Sequence, residues 1–109
     1  MNDFVSIFLK DISSIVDKLI DTIIIESSFD KSMISIDYLS KSKQGDISTN
    51  LLMVLRKFLI NKNFNLNNNL YQKIQNLDYV NKIEIAKAGF INIFFVEKFL
   101  IDKLNDVIK

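Results

Sequence analysis

Hydrophobic residues recur every three or four positions through the first part of the chain, a spacing that places them on one side of a helix. The stripe runs over residues 3 to about 22 and predicts an amphipathic helix. A β-branched stretch at 22–25 ends the pattern and is compatible with the start of a short strand. A weaker alternation over 33–39, with Ile34, Ile36 and Tyr38 on one face, predicts a second strand.

The middle of the chain alternates between polar segments and helical patterns. Residues 41–45 are polar and predict a loop, and Asp46 follows where its carboxylate would accept backbone N–H groups as a helix N-cap. The helix predicted after Asp46 buries Ile47, Leu51, Val54, Leu55, Phe58 and Leu59. The asparagine-rich stretch 61–69 contains a break, and the apolar positions that follow predict a third, short helix. These positions are Leu70, Ile74 and Leu77.

Two alternating apolar runs meet at Gly89 within residues 80–96. Alternation with a period of two is a strand signal, and a glycine between two such runs predicts a hairpin or a sharp bend. A closing helix is predicted from Phe99, Leu100, Leu104, Val107 and Ile108. This order of elements predicts an α+β fold, with a small, mostly antiparallel sheet of three to four strands packed against about four helices in two layers.

The second run of the hairpin has two different faces. One face is purely apolar and suits a hydrophobic core: Ile91, Ile93 and Phe95. The other face sets the amide of Asn92 between the rings of Phe90 and Phe94. A ring can stack on a nucleic-acid base while an amide, both donor and acceptor, reads the edge of that base. The alternative interpretation is structural: the two rings pack under a loop, and Asn92 bonds the backbone.

Composition restricts the class of protein. A chain of 109 residues, 49% hydrophobic and 25% charged, is expected to form one domain, residues 1–109, with its own core. No apolar run approaches the ~20 residues that span a bilayer, and no secretory signal opens the chain. The absence of cysteine favours a cytoplasmic setting. Because histidine is also absent and the two glycines are too few for a phosphate loop, we expect no catalytic residue, no metal and no cofactor in this domain.

The net charge of +1 hides an uneven distribution. Residues 1–30 carry six acids and two lysines, whereas residues 31–109 carry twelve bases and seven acids. The basic excess is concentrated at Lys41, Lys43, Arg56, Lys57 and Lys62. This cluster is a candidate contact for phosphates, and a solvated lysine surface is the alternative.

Two segments of the chain carry a resemblance to a known family. Residues 44–50 read Gln-Gly-Asp-Ile-Ser-Thr-Asn, similar to a Gly-Asp-(aromatic or aliphatic)-x-(Thr/Ser)-Asn entry to a helix. Residues 83–95 read Ile-Glu-Ile-Ala-Lys-Ala-Gly-Phe-Ile-Asn-Ile-Phe-Phe, similar to a Val-Glu-Val-Ala-Gly-Pro-Gly-Phe-Ile-Asn-Phe strand pair. In this order and at this distance, the two segments resemble the N-terminal additional domain of arginyl-tRNA synthetases. The predicted opening helix and the predicted strand at Ile34 to Tyr38 also match the order of elements in that family's domain.

The resemblance implies a tRNA-binding accessory domain of a class I synthetase that attaches arginine to tRNA(Arg). In that family the domain contacts the tRNA D-loop, which implies stacking by Phe90 and edge recognition by Asn92. Lys87 becomes a candidate phosphate contact, with a solvated lysine as the alternative. The resemblance also implies structural roles for four motif positions, with Asp46 as the cap and Asn50 tying the helix start to a neighbouring loop. These positions are Gly45, Asp46, Asn50 and Gly89.

The implied parent enzyme uses ATP and Mg²⁺ in its catalytic domain, which is the expected partner of this domain within the same chain. The expected protein is monomeric and cytoplasmic and has no membrane partner. One departure from the family pattern is Lys87-Ala88, which replaces the usual Gly-Pro and leaves the bend less rigidly preset. Two other functions stay open at this point: a protein-interaction module that docks through Phe90 and Phe94, and a free-standing regulator that carries a borrowed synthetase domain.

Overall fold

The computed structural model describes residues 4–39 and 45–99 of the chain. Within these ranges a four-stranded sheet with the strand order β1-β2-β4-β3 packs against helices, and all neighbouring strands are antiparallel. The elements are α1 (Phe4–Asp21), β1 (Ile36–Tyr38), β2 (Ile47–Thr49), α2 (Leu51–Arg56), α3 (Leu66–Gln75), β3 (Val80–Ile85) and β4 (Ile91–Phe95), with a short 3₁₀ helix at Lys31–Met33. The predicted α+β fold is confirmed. No helix among the described residues is long and apolar enough to cross a membrane.

The first helix follows the predicted stripe. Its fully covered side chains are spaced by three or four residues and face the core: Phe8, Ile12, Val16 and Leu19. The helix ends where Ile23 adopts a φ of 60°, a left-handed conformation that a β-branched residue rarely takes and that cannot continue a helix. Residues 22–25, whose pattern is compatible with the start of a strand, belong to no strand of the sheet, and among the described residues Ile25 forms an isolated antiparallel bridge with Leu59.

Alternation along the strands divides the sheet into an inner and an outer face. The inner face is apolar apart from Thr49 and contacts the helices. Its buried members are Ile47, Thr49, Val80, Ile83, Ile91, Ile93 and Phe95. In β4 every second residue is fully covered, as the sequence predicted, because successive side chains of a strand point to opposite faces. Burying the apolar residues of β4 therefore fixes Asn92 and Phe94 on the outer face.

The prediction of a helix that starts at Asp46 was wrong about where the helix begins and how long it is. Residues 47–49 form β2 instead, with Ile47 paired to Ile93, and the helix occupies only Leu51–Arg56. The β-branched Ile47 and Thr49 suit a strand, and both are buried on its inner face. The Thr49 hydroxyl accepts a hydrogen bond from the Leu51 N–H at 3.3 Å, so it takes part of the capping role that was assigned to Asp46.

The third predicted helix is confirmed as α3, although Leu77, one of its predicted positions, lies beyond the last helical residue, Gln75. Asn65 begins it, because its side-chain oxygen accepts a hydrogen bond from the Asn68 N–H at 3.0 Å. Leu66, Leu70 and Ile74 are its buried residues. A closing helix was predicted from Phe99 onward, and of its predicted positions only Phe99 is among the described residues. Lys41 and Lys43 also lie outside the described residues.

Aromatic rings join β4, α1 and the residues around the hairpin at one end of the domain. The Phe95 ring lies 5.4 Å from Phe4, 5.8 Å from Phe8 and 5.5 Å from Phe99, measured between ring centroids. Tyr79 stacks on Phe99 at 4.5 Å and donates its hydroxyl to Asp11 of α1. Burial raises the pKa of the Tyr79 hydroxyl, and the hydrogen bond and charge of Asp11 raise it further.

Because the pKa of Tyr79 is higher in the folded chain than its ordinary value of 10.0, the stabilisation from this group is complete below pH 10 and is lost progressively as the pH rises from 10 toward the folded-state pKa. We expect Tyr79→Phe to be less stable than the wild type below pH 10. The difference should shrink as the pH rises above 10, by less than ~1.4 kcal/mol per pH unit because solvent screens a partly exposed ring. Urea unfolding from pH 8 to 11 measures this, with the exposed Tyr71→Phe as the control. A constant difference across this range would contradict the Tyr79–Asp11 contact.

Candidate nucleic-acid interface

The outer face of β4 presents the side chains that the sequence singled out. Asn92 lies opposite Ser48 of β2 on one side and Glu84 of β3 on the other. Phe94 lies opposite Lys82 of β3. The amide is therefore flanked by a hydroxyl and a carboxylate, and one ring is flanked by a cation.

Phe90 and Phe94 are half-buried, but neither belongs to the hydrophobic core or to the partly buried side chains packed against it within the described residues. Over the same residues, the Asn92 amide forms no hydrogen bond with the protein. The sequence left open a structural interpretation in which the rings pack under a loop and the amide bonds the backbone. Among the described residues the amide makes no such bond, and the two half-buried rings lie outside the core cluster.

The two rings differ in their surroundings. The Lys82 ammonium lies 5.0 Å from the centroid of the Phe94 ring, within the range of a cation–π contact. The same ammonium lies 3.9 Å from the Glu84 carboxylate, and both side chains are more than half exposed. Phe90 has no ring or cation contact among the described residues. Of the two rings, Phe90 is therefore the one that no ring or cation of the described residues engages.

The hairpin turn that carries Lys87 and precedes Phe90 is held against α2. The Met53 N–H donates to the Gly89 carbonyl at 3.0 Å, and the Ala86 N–H donates to the Phe90 carbonyl at 2.8 Å. Gly89 has a φ of 91°, and a β-carbon there would lie 3.0 Å from the Met53 Cα. Glycine is therefore required at this position by both backbone conformation and space. Lys87 is exposed in the turn.

Gly45 and Asp46 bind the other end of β4. The Asp46 N–H donates to the Ile93 carbonyl, and the Asp46 carboxylate accepts from the Phe95 N–H, both at 2.8 Å. Gly45 has a φ of 141°, and a β-carbon there would lie 3.0 Å from the Ile93 carbonyl oxygen. The prediction that Asp46 caps a helix was therefore wrong: its carboxylate instead extends the hydrogen bonding between β2 and β4 by one acceptor.

Asn50 ties the start of α2 to the segment that leads into β1. Its side-chain oxygen accepts from the Ser35 N–H at 2.8 Å, and its side-chain nitrogen donates to the Met33 carbonyl at 3.0 Å. The predicted tie between the helix start and a neighbouring loop is confirmed. Because both ends of this amide are engaged, Asn50 makes no side-chain capping bond to α2.

The basic cluster is only partly described. Arg56, Lys57 and Lys62 are exposed, whereas Lys41 and Lys43 lie outside the described residues. No group of three or more acidic, histidine or cysteine side chains within the described residues could hold a metal ion. Apart from Tyr79, a clear pKa shift is found at Asp30, whose pKa is lowered by hydrogen bonds from Ser32. Neither residue is part of the outer face of β4.

Sequence reasoning missed the neighbours of Asn92. Glu84 and Lys82 alternate with apolar residues in β3, so their outer-face position could be read from the sequence. Their partners in β4 could not be read from the sequence, because a bulge at residue 81 shifts the strand pairing between Val80 and Lys82. Ser48 was missed because its segment was assigned to a helix.

Comparison with known proteins identifies the family of this chain. The family model of the arginyl-tRNA synthetase N-terminal domain matches residues 8–95. Arginine–tRNA ligases from Shewanella baltica strains OS155 and OS185 are each 32% identical to the chain over 78 residues. The matched segment is 72% of this chain and 13% of each relative, so the chain spans a small part of the length of these curated relatives. The chain belongs to the family of arginyl-tRNA synthetase N-terminal domains.

Replacing Asp46 by alanine removes the acceptor of the Phe95 N–H. We expect Asp46→Ala to lower the free energy of unfolding by about 1.5–3 kcal/mol, the range for hydrogen bonds to a charged group. Asp46→Asn keeps an oxygen in the same place and should lose less. Denaturant midpoints of the three proteins measure this difference.

Amide hydrogen exchange identifies the bond that is lost. In Asp46→Ala the Phe95 N–H should exchange faster, while the Leu51 N–H, which is bonded to Thr49, keeps its protection. Unchanged exchange at Phe95, with faster exchange in the first turn of α2, would restore Asp46 as a helix cap and contradict this assignment.

Proposed function

We propose that this chain is the tRNA-binding N-terminal domain of an arginine–tRNA ligase and that the outer face of β4 meets the tRNA D-loop. One observation carries the proposal. Within the family-matched segment, Asn92 projects from the side of the sheet away from the core and has no hydrogen-bond partner among the described residues, and Phe90, the residue before β4, lies outside the core cluster. Half-buried rings and unpaired amides beside each other provide the two contacts that an unstacked base needs.

The spacing of the two side chains suits one nucleotide. Residues two apart on a strand are separated by about 6.6 Å along its axis and point to the same side. A base stacked on Phe90 would therefore direct its edge toward Asn92, whose amide can both donate and accept. Lys87, in the turn before Phe90, would approach the backbone phosphates.

The neighbours of Asn92 add further hydrogen-bonding groups. Ser48 offers a hydroxyl on one side, and Glu84 offers a carboxylate on the other. A carboxylate repels phosphates but accepts hydrogen bonds from the amino or imino groups of a base. The centre of this face is therefore suited to a base edge, with the sugar-phosphate backbone lying toward the hairpin turn.

The parent protein in this proposal catalyses the ATP-dependent attachment of arginine to tRNA(Arg), with ATP and Mg²⁺ held by its catalytic domain. This domain would supply RNA contacts and no catalytic residue. Its partners would be tRNA(Arg) and the catalytic domain of the same chain. We propose that the protein works as a monomer in the cytoplasm.

Phe90→Ala and Asn92→Ala are each expected to weaken binding of tRNA(Arg) while leaving the fold intact. Losing a stacked ring should cost about 1–3 kcal/mol of binding free energy. Fluorescence anisotropy with labelled tRNA(Arg) measures this, and circular dichroism checks the fold. The matched controls are Tyr71→Ala and Asn76→Ala, which remove an exposed ring and an exposed amide in and just after α3.

Discrimination of the base separates the roles of the two residues. In the full-length enzyme, Asn92→Ala should lower arginylation of wild-type tRNA more than that of D-loop base variants, whereas Phe90→Ala should lower all of them. An equal loss for every variant with Asn92→Ala would mean that Asn92 does not read that base. Wild-type affinity in both variants, with loss of binding to a protein partner, would favour a protein-docking function for this face.

A further inference from the structure

Arg56, the single arginine of the chain, lies at the end of α2 beside the hairpin turn. Its Nη2 donates to the side-chain oxygen of Asn67 in α3 at 3.1 Å. Its Nη1 lies over Gly89, because a β-carbon placed on that glycine would be 3.0 Å from this nitrogen. The guanidinium therefore lies between Asn67 of α3 and Gly89 of the turn. Gly89 directly precedes Phe90 in the chain.

This cation is positioned by Asn67, and no acidic side chain of the described residues pairs with it. Among the described residues the ion pairs are Lys31 with Asp17 and Lys82 with Glu84, and neither involves Arg56. A guanidinium carries five N–H donors in a planar fork, and Asn67 engages one of them. The side chain is exposed, so the remaining donors can reach a ligand.

We propose that Arg56 binds a backbone phosphate of the RNA strand whose base is held by Phe90 and Asn92, and that Asn67 is the residue that positions it. The inference rests on the proposed tRNA-binding function and adds a second, sequence-independent contact to it. A planar fork matches two oxygens of a phosphate, which a lysine ammonium meets only as a point charge.

The place of Arg56 agrees with the geometry of a bound nucleotide. The base edge is directed to Asn92, near the carboxylate of Glu84, where a phosphate would be repelled. The opposite direction along the strand leads to Gly89 and the turn, where Arg56 and Lys87 are the charged groups. Because Gly89 has no side chain, both the backbone of α2 at Met53 and the Arg56 guanidinium can approach it closely.

The salt dependence of tRNA(Arg) binding tests this contact. Arg56→Ala should weaken binding at least about ten-fold at low salt. It should also reduce the slope of log affinity against log salt by about 0.7–0.9, the value of one phosphate contact. The loss should be the same for D-loop base variants, because a phosphate contact carries no sequence information. Lys18→Ala removes the same charge from an exposed position on α1, outside the basic cluster, and should leave the slope nearly unchanged.

Two further variants separate the fork from the charge. Arg56→Lys should keep the salt slope but bind more weakly than the wild type, because the ammonium cannot reproduce the two-oxygen contact. Asn67→Ala should weaken binding with the slope retained, and Asn67→Gln, which keeps an amide oxygen as an acceptor for Nη2, should recover part of the loss. Thermal unfolding of each variant checks that the domain is folded.

The outcomes distinguish this inference from the proposed function. If Arg56→Ala binds with wild-type affinity and slope while Phe90→Ala is weakened, the phosphate contact is overturned and the tRNA-binding function stands. If Arg56→Ala and Lys18→Ala change the slope equally, the charge acts without a specific contact, which also overturns it. If the wild-type chain does not bind tRNA(Arg), the proposed function fails, and this inference fails with it.

Discussion

The contact between the Gly45–Asp46 segment and β4 is the interaction on which the rest of the structure depends. Two hydrogen bonds, from the Asp46 N–H to Ile93 and from the Phe95 N–H to the Asp46 carboxylate, attach this segment to the strand. They place β4 between β2 and β3 in the middle of the sheet. A central strand must bury one face, and the apolar alternation of β4 decides which face that is.

This arrangement separates residues that build the domain from residues that face outward. Gly45, Asp46, Asn50 and Gly89 direct their contacts at other parts of the backbone or permit its close approach. The outer face is left with the Asn92 amide, which has no hydrogen-bond partner among the described residues, and with two half-buried rings that lie outside the core cluster. A rigid strand that carries unused polar and aromatic groups is preorganised for a ligand, since few side chains need to be ordered on binding.

The sequence was informative where a pattern was long and local. The stripe of α1 and the alternation of β4 correctly identified the core residues, and the face assignment of Asn92 followed from them. Residues 47–49 were misassigned because a three-residue strand is too short to be distinguished from a helix entry by periodicity. The role of Asp46 was misassigned because its partner, Phe95, is 49 residues away. The position of Arg56 over Gly89 likewise arises from tertiary packing, which no local pattern encodes.

The central claim is that the side-chain amide of Asn92, on the outer face of β4, contacts RNA, whereas the side-chain amide of Asn50, bonded to the backbone of Ser35 and Met33, stabilises the fold. Nuclear magnetic resonance of side-chain amides tests it directly, because Asn92 and Asn50 give separate signals in one sample. On addition of stoichiometric tRNA(Arg), the Asn92 side-chain amide should shift or broaden, and that of Asn50, bonded to Met33 and Ser35, should not. An unchanged Asn92 signal, with perturbations confined to α1 or to the Asn50 amide, would contradict the account.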